Sequence, residues 1–171
     1  MARLPQGEFA LDRDLCLRLM ESLAEAPRSA ASLAPSTGRS AEEVAEALVA
    51  LAALNLAAPA VGTPHSTATA SAFNAHVLEL ARGGDTISAL AAPVLGSGVE
   101  TERVERLFLL ALRQESDPVA FAWSVLSGRG ERLVRDGRLL SSAADNLEEL
   151  GDRWHRFGRE RLPVLQALGA A

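Results

Sequence analysis

The run ALAAPVLGSGVETERVERLFLLAL, Ala89–Leu112, carries an apolar stretch into Gly-Ser-Gly and out again into an amphipathic helix. A strand–glycine–helix junction of this kind can cradle a phosphate on backbone N–H groups and a helix N-terminus. It can equally be a bend between two packed elements, and the choice separates an enzyme from an accessory module. A dinucleotide or adenosylmethionine site wants more glycines directly after a buried parallel strand, with an acid closing the next strand to hold the ribose. Here there are two glycines, Gly96 and Gly98, and Pro93 falls inside the supposed strand, where it removes a ladder donor. No βαβ alternation surrounds them. The run therefore reads as a turn feeding a helix from about Glu100 to Gln114, with Val104, Leu107, Phe108, Ala111 and Leu112 as its apolar residues.

Downstream, SDPVAFAWSVLSG starts a new helix, since Asp117 before Pro118 is a strong start signal, and the helix runs to Gly128. ERLVRDGRLL reads as a short helix or turn broken at Gly137. SSAADNLEELGDRWHRFGRERL is the last long helix, capped by Ser141 or Ser142, with Pro163 near its end. Arg129, Arg132, Arg135 and Arg138 recur every three residues, which on a helix makes a slowly drifting cationic stripe able to clamp a phosphate or carboxylate. Glu131 and Asp136 interleave with them and three glycines interrupt, so a solvated face with local ion pairs is the plainer reading. Phe121, Trp123, Trp154 and Phe157 stand at helical spacings and read as packing, with a peptide groove as the other option.

Upstream, FALDRDLCLRLMESLAEAP places Leu11, Leu15, Leu19 and Leu23 on one helical face, with Asp12 or Asp14 near the N-terminus and Pro27 as the stop. RSAASLAPSTG is a short second helix. RSAEEVAEALVALAALNL is a third, with Ser40 and Glu43 spaced as a capping box. LAAPAVG then looks extended. This order suggests a winged helix in which Glu8–Ala10 supplies a first strand pairing near Ala60, although a three-helix bundle gives the same pattern. GTPHSTATASAF, Gly62–Phe73, is a wing or a linker, followed by a helix from about Ala72 to Ala81.

The 171 residues carry a net charge of -5, with no lysine among 17 cationic residues. That balance argues against a domain built to neutralise a phosphate backbone, and it removes Schiff-base and Walker-lysine chemistry. The exposed early residues of the third helix, Glu42, Glu43 and Glu46, would be repelled by phosphates, which disfavours reading of DNA. Cys16 is the single cysteine, so no intrachain disulfide forms and the redox reading is cytosolic. It sits beside an apolar stripe, where a small buried hydrophobe is expected. His65, His76 and His155 have no metal-ligand spacing. His65 and His155 read as surface or partner-facing residues. No export signal or membrane span is expected.

LAAPVLGSGVETERVERLFLLAL, AFAWSVLSGRGERLVRDGRLLSSAADNLEELGDRW and RFGRERLPVLQALG together resemble the C-terminal, winged-helix region of bacterial methyltransferase-regulatory-domain proteins, a group that includes protein lysine methyltransferases. The resemblance covers roughly Phe73 to Gly169 and, more loosely, the N-terminal helices. It rests on packing residues and turns. In that family a catalytic adenosylmethionine-binding domain precedes this region; no such signature stands here, so no catalytic or cofactor residue carries over. Around Arg135 and Arg138 relatives are expected to carry lysine, so the charge is kept.

The expectation is a mainly α protein, with a winged-helix-like lobe at 1–62 packed on a helical lobe at 63–171, or one continuous domain. It is a non-enzymatic cytoplasmic accessory module, with no cofactor and no metal. It would bind protein or peptide and act with a modifying enzyme in trans. The contact region is expected at Pro93, Gly96, Gly98, Arg132, Arg135, Trp154 and His155. The alternatives are a leader-peptide recognition protein in ribosomal peptide maturation, binding by strand addition at a wing edge, and a winged-helix transcriptional regulator. Nucleic acid and membrane are not expected partners, and oligomerisation is left open.

Overall fold

Asp12 opens the first helix by accepting hydrogen bonds from the Asp14 and Leu15 amides, satisfying two of the donors that a helix start leaves free. The computed structural model describes residues 2–4, 7–9, 12–61, 67–84 and 86–171. Leu11, His65 and the Gly62–Ser66 part of the Ser/Thr-rich segment lie outside them. The chain is mainly helical and divides into two compact units, Met1–Ala60 and Val61–Ala171.

The first unit holds a hairpin of β1 (Ala2–Leu4) and β2 (Gly7–Phe9), followed in the chain by helices α1 (Arg13–Glu25), α2 (Ala30–Thr37) and α3 (Ala41–Ala53). Leu15, Cys16 and Leu19 from α1, Leu33 from α2, and Val44, Ala47 and Leu51 from α3 form its core. Cys16 is buried there, and burial pushes its thiol pKa up. The capping box of α3 is complete: Ser40 Oγ accepts from the Glu43 amide, and Glu43 accepts from the Ser40 amide.

The expected pairing of Glu8–Ala10 with a strand near Ala60 is not what forms. β2 pairs antiparallel with β1, Arg3 opposite Glu8, and residues 57–61 hold no strand. Two residues separate β1 from β2, so their closure entropy is far smaller than that of a loop spanning the whole unit. Pro59 also lacks the N–H that a strand there would contribute.

In the second unit α4 spans Thr67–Leu80, so it begins about five residues before the expected start at Ala72. Thr67–Phe73 is therefore neither wing nor linker. Alanine-rich composition favours the helix, and Asn74, Val77 and Leu78 give it a buried face. β3 (Ala89–Ala92) and β4 (Ser97–Glu100) form an antiparallel hairpin, with Leu90 opposite Val99. The turn expected at Pro93–Gly98 is thus a hairpin turn over Pro93–Gly96, and Gly98 falls in β4 instead.

Helix α5 (Arg103–Arg113) is the central post. Val104, Leu107, Phe108, Leu109, Leu110 and Ala111 are all buried, so it is covered nearly all round. α6 (Pro118–Gly128) starts as expected, with the Asp117 carboxylate accepting from the Ala120 amide. Ser142 caps α7 (Ala143–Arg156), on the second of the two candidate serines.

Pro163 explains the end of the chain. It has no N–H to give the carbonyl four residues back, so the ladder widens into a π segment, Phe157–Arg161, in which the Leu162 amide reaches Phe157 O. α8 (Leu162–Ala167) then resumes normal pitch. Phe108, Trp154 and Phe157 pack as an aromatic triad with centroids 5.3, 5.8 and 5.9 Å apart. Such pairs contribute about 0.5–1.5 kcal/mol each beyond their burial.

Of the two readings of ERLVRDGRLL, a short helix or a turn broken at Gly137, the turn is the one that forms, within a third hairpin: β5 (Val134–Arg135) faces β6 (Arg138–Leu139) across Asp136-Gly137. Both turn residues have positive φ, 51° and 75°, the requirement of the two-residue turn that suits strand twist. The arginine stripe imagined on a helix does not exist as such.

Candidate functional site

Two buried asparagines organise the surfaces on which the expected contact residues lie. Asn74 on α4 is 3% exposed. Its Oδ1 accepts from the Ala91 amide at 2.7 Å, and its Nδ2 donates to Ala91 O at 2.9 Å and to Ala170 O at 3.1 Å. A side-chain amide here does what a neighbouring strand would do. It caps the outer edge of β3 at Ala91 and ties the end of the chain to it.

The other edge of the same hairpin stays open. Thr101 N donates to Ser88 O at 2.7 Å, so 88 and 101 form a hydrogen-bonded pair just beyond the strands. Antiparallel pairs alternate, which makes Leu90–Val99 hydrogen-bonded and Ala89–Glu100 and Ala91–Gly98 non-bonded. The N–H and C=O of Gly98 and Glu100 consequently point away from β3. Glu100 O accepts from Arg161 Nη2 at 2.7 Å; Gly98 N–H, Gly98 C=O and Glu100 N–H have no partner among the described residues. Ser97, Gly98 and Glu100 are exposed.

The two glycines of the opening run do different work. Gly96 has φ +64°, and a Cβ there would sit 2.7 Å from Val61 Cγ1, so both conformation and space require glycine. It closes a four-residue turn in which Leu95 N bonds Ala92 O and Gly96 N bonds Pro93 O. Val61 N also donates to Val94 O at 2.8 Å. Gly98 lies in the strand, where an added Cβ would meet Ala89 Cβ at an ordinary 3.4 Å.

Asn146 on α7, 0% exposed, clamps the other hairpin. Its Oδ1 accepts from Leu133 N at 2.8 Å; its Nδ2 donates to Leu140 O and Ser142 O at 3.2 and 2.7 Å. Arg132 donates to Ser141 O across the base of this hairpin. Arg135 turns toward α7, where Glu149 holds it at 2.6 Å, Asp152 at 3.5 Å and Glu148 at 3.6 Å. Glu149 also takes Arg153 at 2.7 Å. Burial opposes the charge on Glu149, but the Arg135 and Arg153 guanidiniums outweigh it and hold the carboxyl below the usual glutamate range. On the other face of the strands Val134 and Leu139 form a cross-strand pair, 48% and 65% exposed.

The expected contact residues therefore fall into three groups. Pro93, Gly96 and Gly98 share the β3–β4 hairpin, and Pro93 lies against Gly169 near the end of the chain. Arg132 and Arg135 belong to the β5–β6 hairpin, with their guanidiniums already engaged. Trp154 is an aromatic-core residue, while His155 is exposed and its Nδ1 meets Gly151 O of its own helix at 2.8 Å. No hydrogen bond or ion pair joins the three groups among the described residues. Asn74 and Asn146 were not among the expected residues. A polar amide repeating in register with Val77 and Leu78, or with Leu150, on an otherwise apolar helix face is the signal that marks them.

In the first unit, the outward face of α3 carries Glu42, Glu46 and Val49, all exposed. Arg39 bridges Asp12 at 2.7 Å and Glu43 at 3.4 Å, so the cation nearest this face is already engaged. Among the described residues no cluster of three or more His, Cys, Asp or Glu is placed to hold a metal ion, and no helix is long and apolar enough to cross a membrane.

The chain is 30% identical over 173 residues to uncharacterized protein sll1526 of Synechocystis sp.. The match covers 98% of this chain and 34% of that protein, so the chain spans about a third of the length of the curated relative it matches. No family model matches, and no solved structure matches.

Proposed function

We propose that the chain is a non-catalytic, cytoplasmic accessory module that binds protein or peptide and works beside a modifying enzyme. The sequence resemblance points to a methyltransferase as that enzyme. The observation that carries this reading is the cyanobacterial relative, in which the matching region is one third of a longer polypeptide. A region that recurs joined to further chain is suited to acting next to another protein. The surface chemistry agrees with it: the guanidiniums of Arg132 and Arg135 are engaged internally, while backbone groups at β4 and apolar side chains at Val134 and Leu139 face outward. Backbone and apolar surface are what a polypeptide partner recognises. The acidic face of α3 speaks against the transcriptional-regulator alternative, since phosphates would be repelled there.

The test is affinity purification of the tagged chain from its host, followed by methyl-transfer assays on the co-purified fraction with labelled adenosylmethionine. Enrichment of a methyltransferase whose polypeptide methylation rises on adding the chain is the expected result. Methylation unchanged by the chain, with no modifying enzyme enriched, overturns the reading.

A further inference from the structure

We propose that the outer edge of β4 accepts an extended polypeptide segment as a third strand of the β3–β4 sheet, with Gly98 as the central pairing residue. This rests on the reading of the chain as a polypeptide-binding module and names the place and mode of binding.

The hairpin treats its two edges differently. On the β3 side, the N–H and C=O of Ala91 are both taken by the Asn74 amide, which leaves only those of Ala89, at the far end of the strand, facing outward. On the β4 side, the register directs the N–H and C=O of Gly98, and the N–H of Glu100, outward at exposed residues. These groups repeat every second residue, a spacing of about 6.6 Å along the strand, which is the repeat at which another extended chain presents its own donors and acceptors. A helix satisfies its backbone internally and offers nothing to such an edge, so the occupant is extended. Arg161 on Glu100 O marks the end of the pairing frame and limits the addition to a short segment centred on Gly98.

The side chains define the occupant further. Val99 packs on the core below the sheet, whereas Ala89, Ala91, Gly98 and Glu100 belong to the opposite face, where only the exposed Glu100 carries a long side chain. A residue of the incoming strand set opposite Gly98 finds open surface on that face. An aromatic or large β-branched side chain there covers the glycine and the neighbouring Ala91, as aromatic residues do for edge glycines in other sheets. The occupant is thus an extended segment with one bulky apolar residue and no acidic residue opposite Glu100.

The experiment selects binders to the whole chain from a random dodecapeptide display library, then measures the best peptide by fluorescence anisotropy against variants. Gly98→Pro deletes the outward N–H at an edge position where proline is tolerated, while Gly98→Ala keeps that N–H and serves as the fold and space control. We expect Gly98→Pro to weaken binding at least tenfold with an unchanged circular dichroism spectrum, and Gly98→Ala to bind within about threefold of the parent. A second readout is independent of the protein variants. N-methylation of the peptide at successive positions should abolish binding at alternate residues only. Binding insensitive to Gly98→Pro, or an N-methyl pattern without a two-residue period, overturns the proposal while leaving the module a polypeptide binder. A library that yields no binder overturns the edge proposal as well. The purification with methyl-transfer assay decides the broader reading separately.

Discussion

The β3–β4 and β5–β6 hairpins are both held by one buried asparagine from a helix, yet the two amides bond at different places. Asn74 acts along an edge: it replaces the strand that β3 lacks and leaves β4 uncovered. Asn146 acts across the base, bonding Leu133 before β5 and Leu140 and Ser142 after β6. Arg135 then locks the second hairpin to α7 through Glu149. A two-stranded ribbon is marginal alone in water, and each is stable here because a helix supplies the polar partner. The difference shows that where the amide reaches decides what remains to be recognised. An edge clamp takes the outward groups of one strand, whereas a base clamp leaves the outward backbone of Val134 and Leu139 uncovered apart from Val134 O, which accepts from Arg153.

Several substitutions sharpen that contrast. The largest effect is expected for the packing on which both clamps rest. Phe108→Ala empties a fully buried ring site at the aromatic triad and should lower unfolding free energy by about 3–5 kcal/mol, read by urea titration. Asn146→Ala comes next. It strands the buried Leu133 N–H and two carbonyls, and a loss of about 2–4 kcal/mol is expected from their desolvation. Asn74→Ala should lose about 1–3 kcal/mol on the same grounds, with the Ala91 amide becoming the most strongly deprotected by hydrogen exchange. Equal deprotection at Leu133 in that variant would dissolve the distinction between the hairpins.

The fold class was legible because helices declare themselves locally. Asp117-Pro118, the Ser40–Glu43 box and the spacing of apolar residues around Phe108 each encode their element within one or two turns. The misread segments are those whose structure depends on partners distant in sequence. α4 begins at Thr67 because its later residues Val77 and Leu78 are buried, and alanine and threonine alone give no clear start. The strand expected near Ala60 lost to a hairpin with a two-residue connection. Asp136-Gly137 kept a turn open as one of two readings, and the periodic arginines around it kept a short helix as the other. At the candidate site, the turn role of Gly96 followed from the sequence. The open edge at Gly98 did not, because it follows from hydrogen-bond parity set by Thr101 and Ser88 and from an asparagine seventeen residues before Ala91.

Acid offers a milder way to separate the hairpins. Glu149 has its pKa lowered in the folded state, so the stability it contributes is present above the ordinary glutamate range of about 4.3 and is lost as pH falls through the folded-state value. The Leu133 and Leu140 amides should lose protection in that window before Ala91 does. Glu149→Gln should lower stability at neutral pH, and the two proteins should converge in acid. The smallest effect belongs to Pro163→Ala. Restoring the N–H lets the π segment return to α-helical pitch, with a stability change of about 0.4–1 kcal/mol, visible as a shift in the Phe157–Leu162 amide resonances.

The most direct test is amide hydrogen exchange of Ala91 and Gly98 by NMR, in the free chain and with a selected peptide bound. A capped Ala91 and an open Gly98 predict slow exchange at Ala91 throughout, and fast exchange at Gly98 that becomes slow on binding. Gly98 already protected in the free chain, or still exchanging freely beneath the bound peptide, would contradict that account of the hairpin.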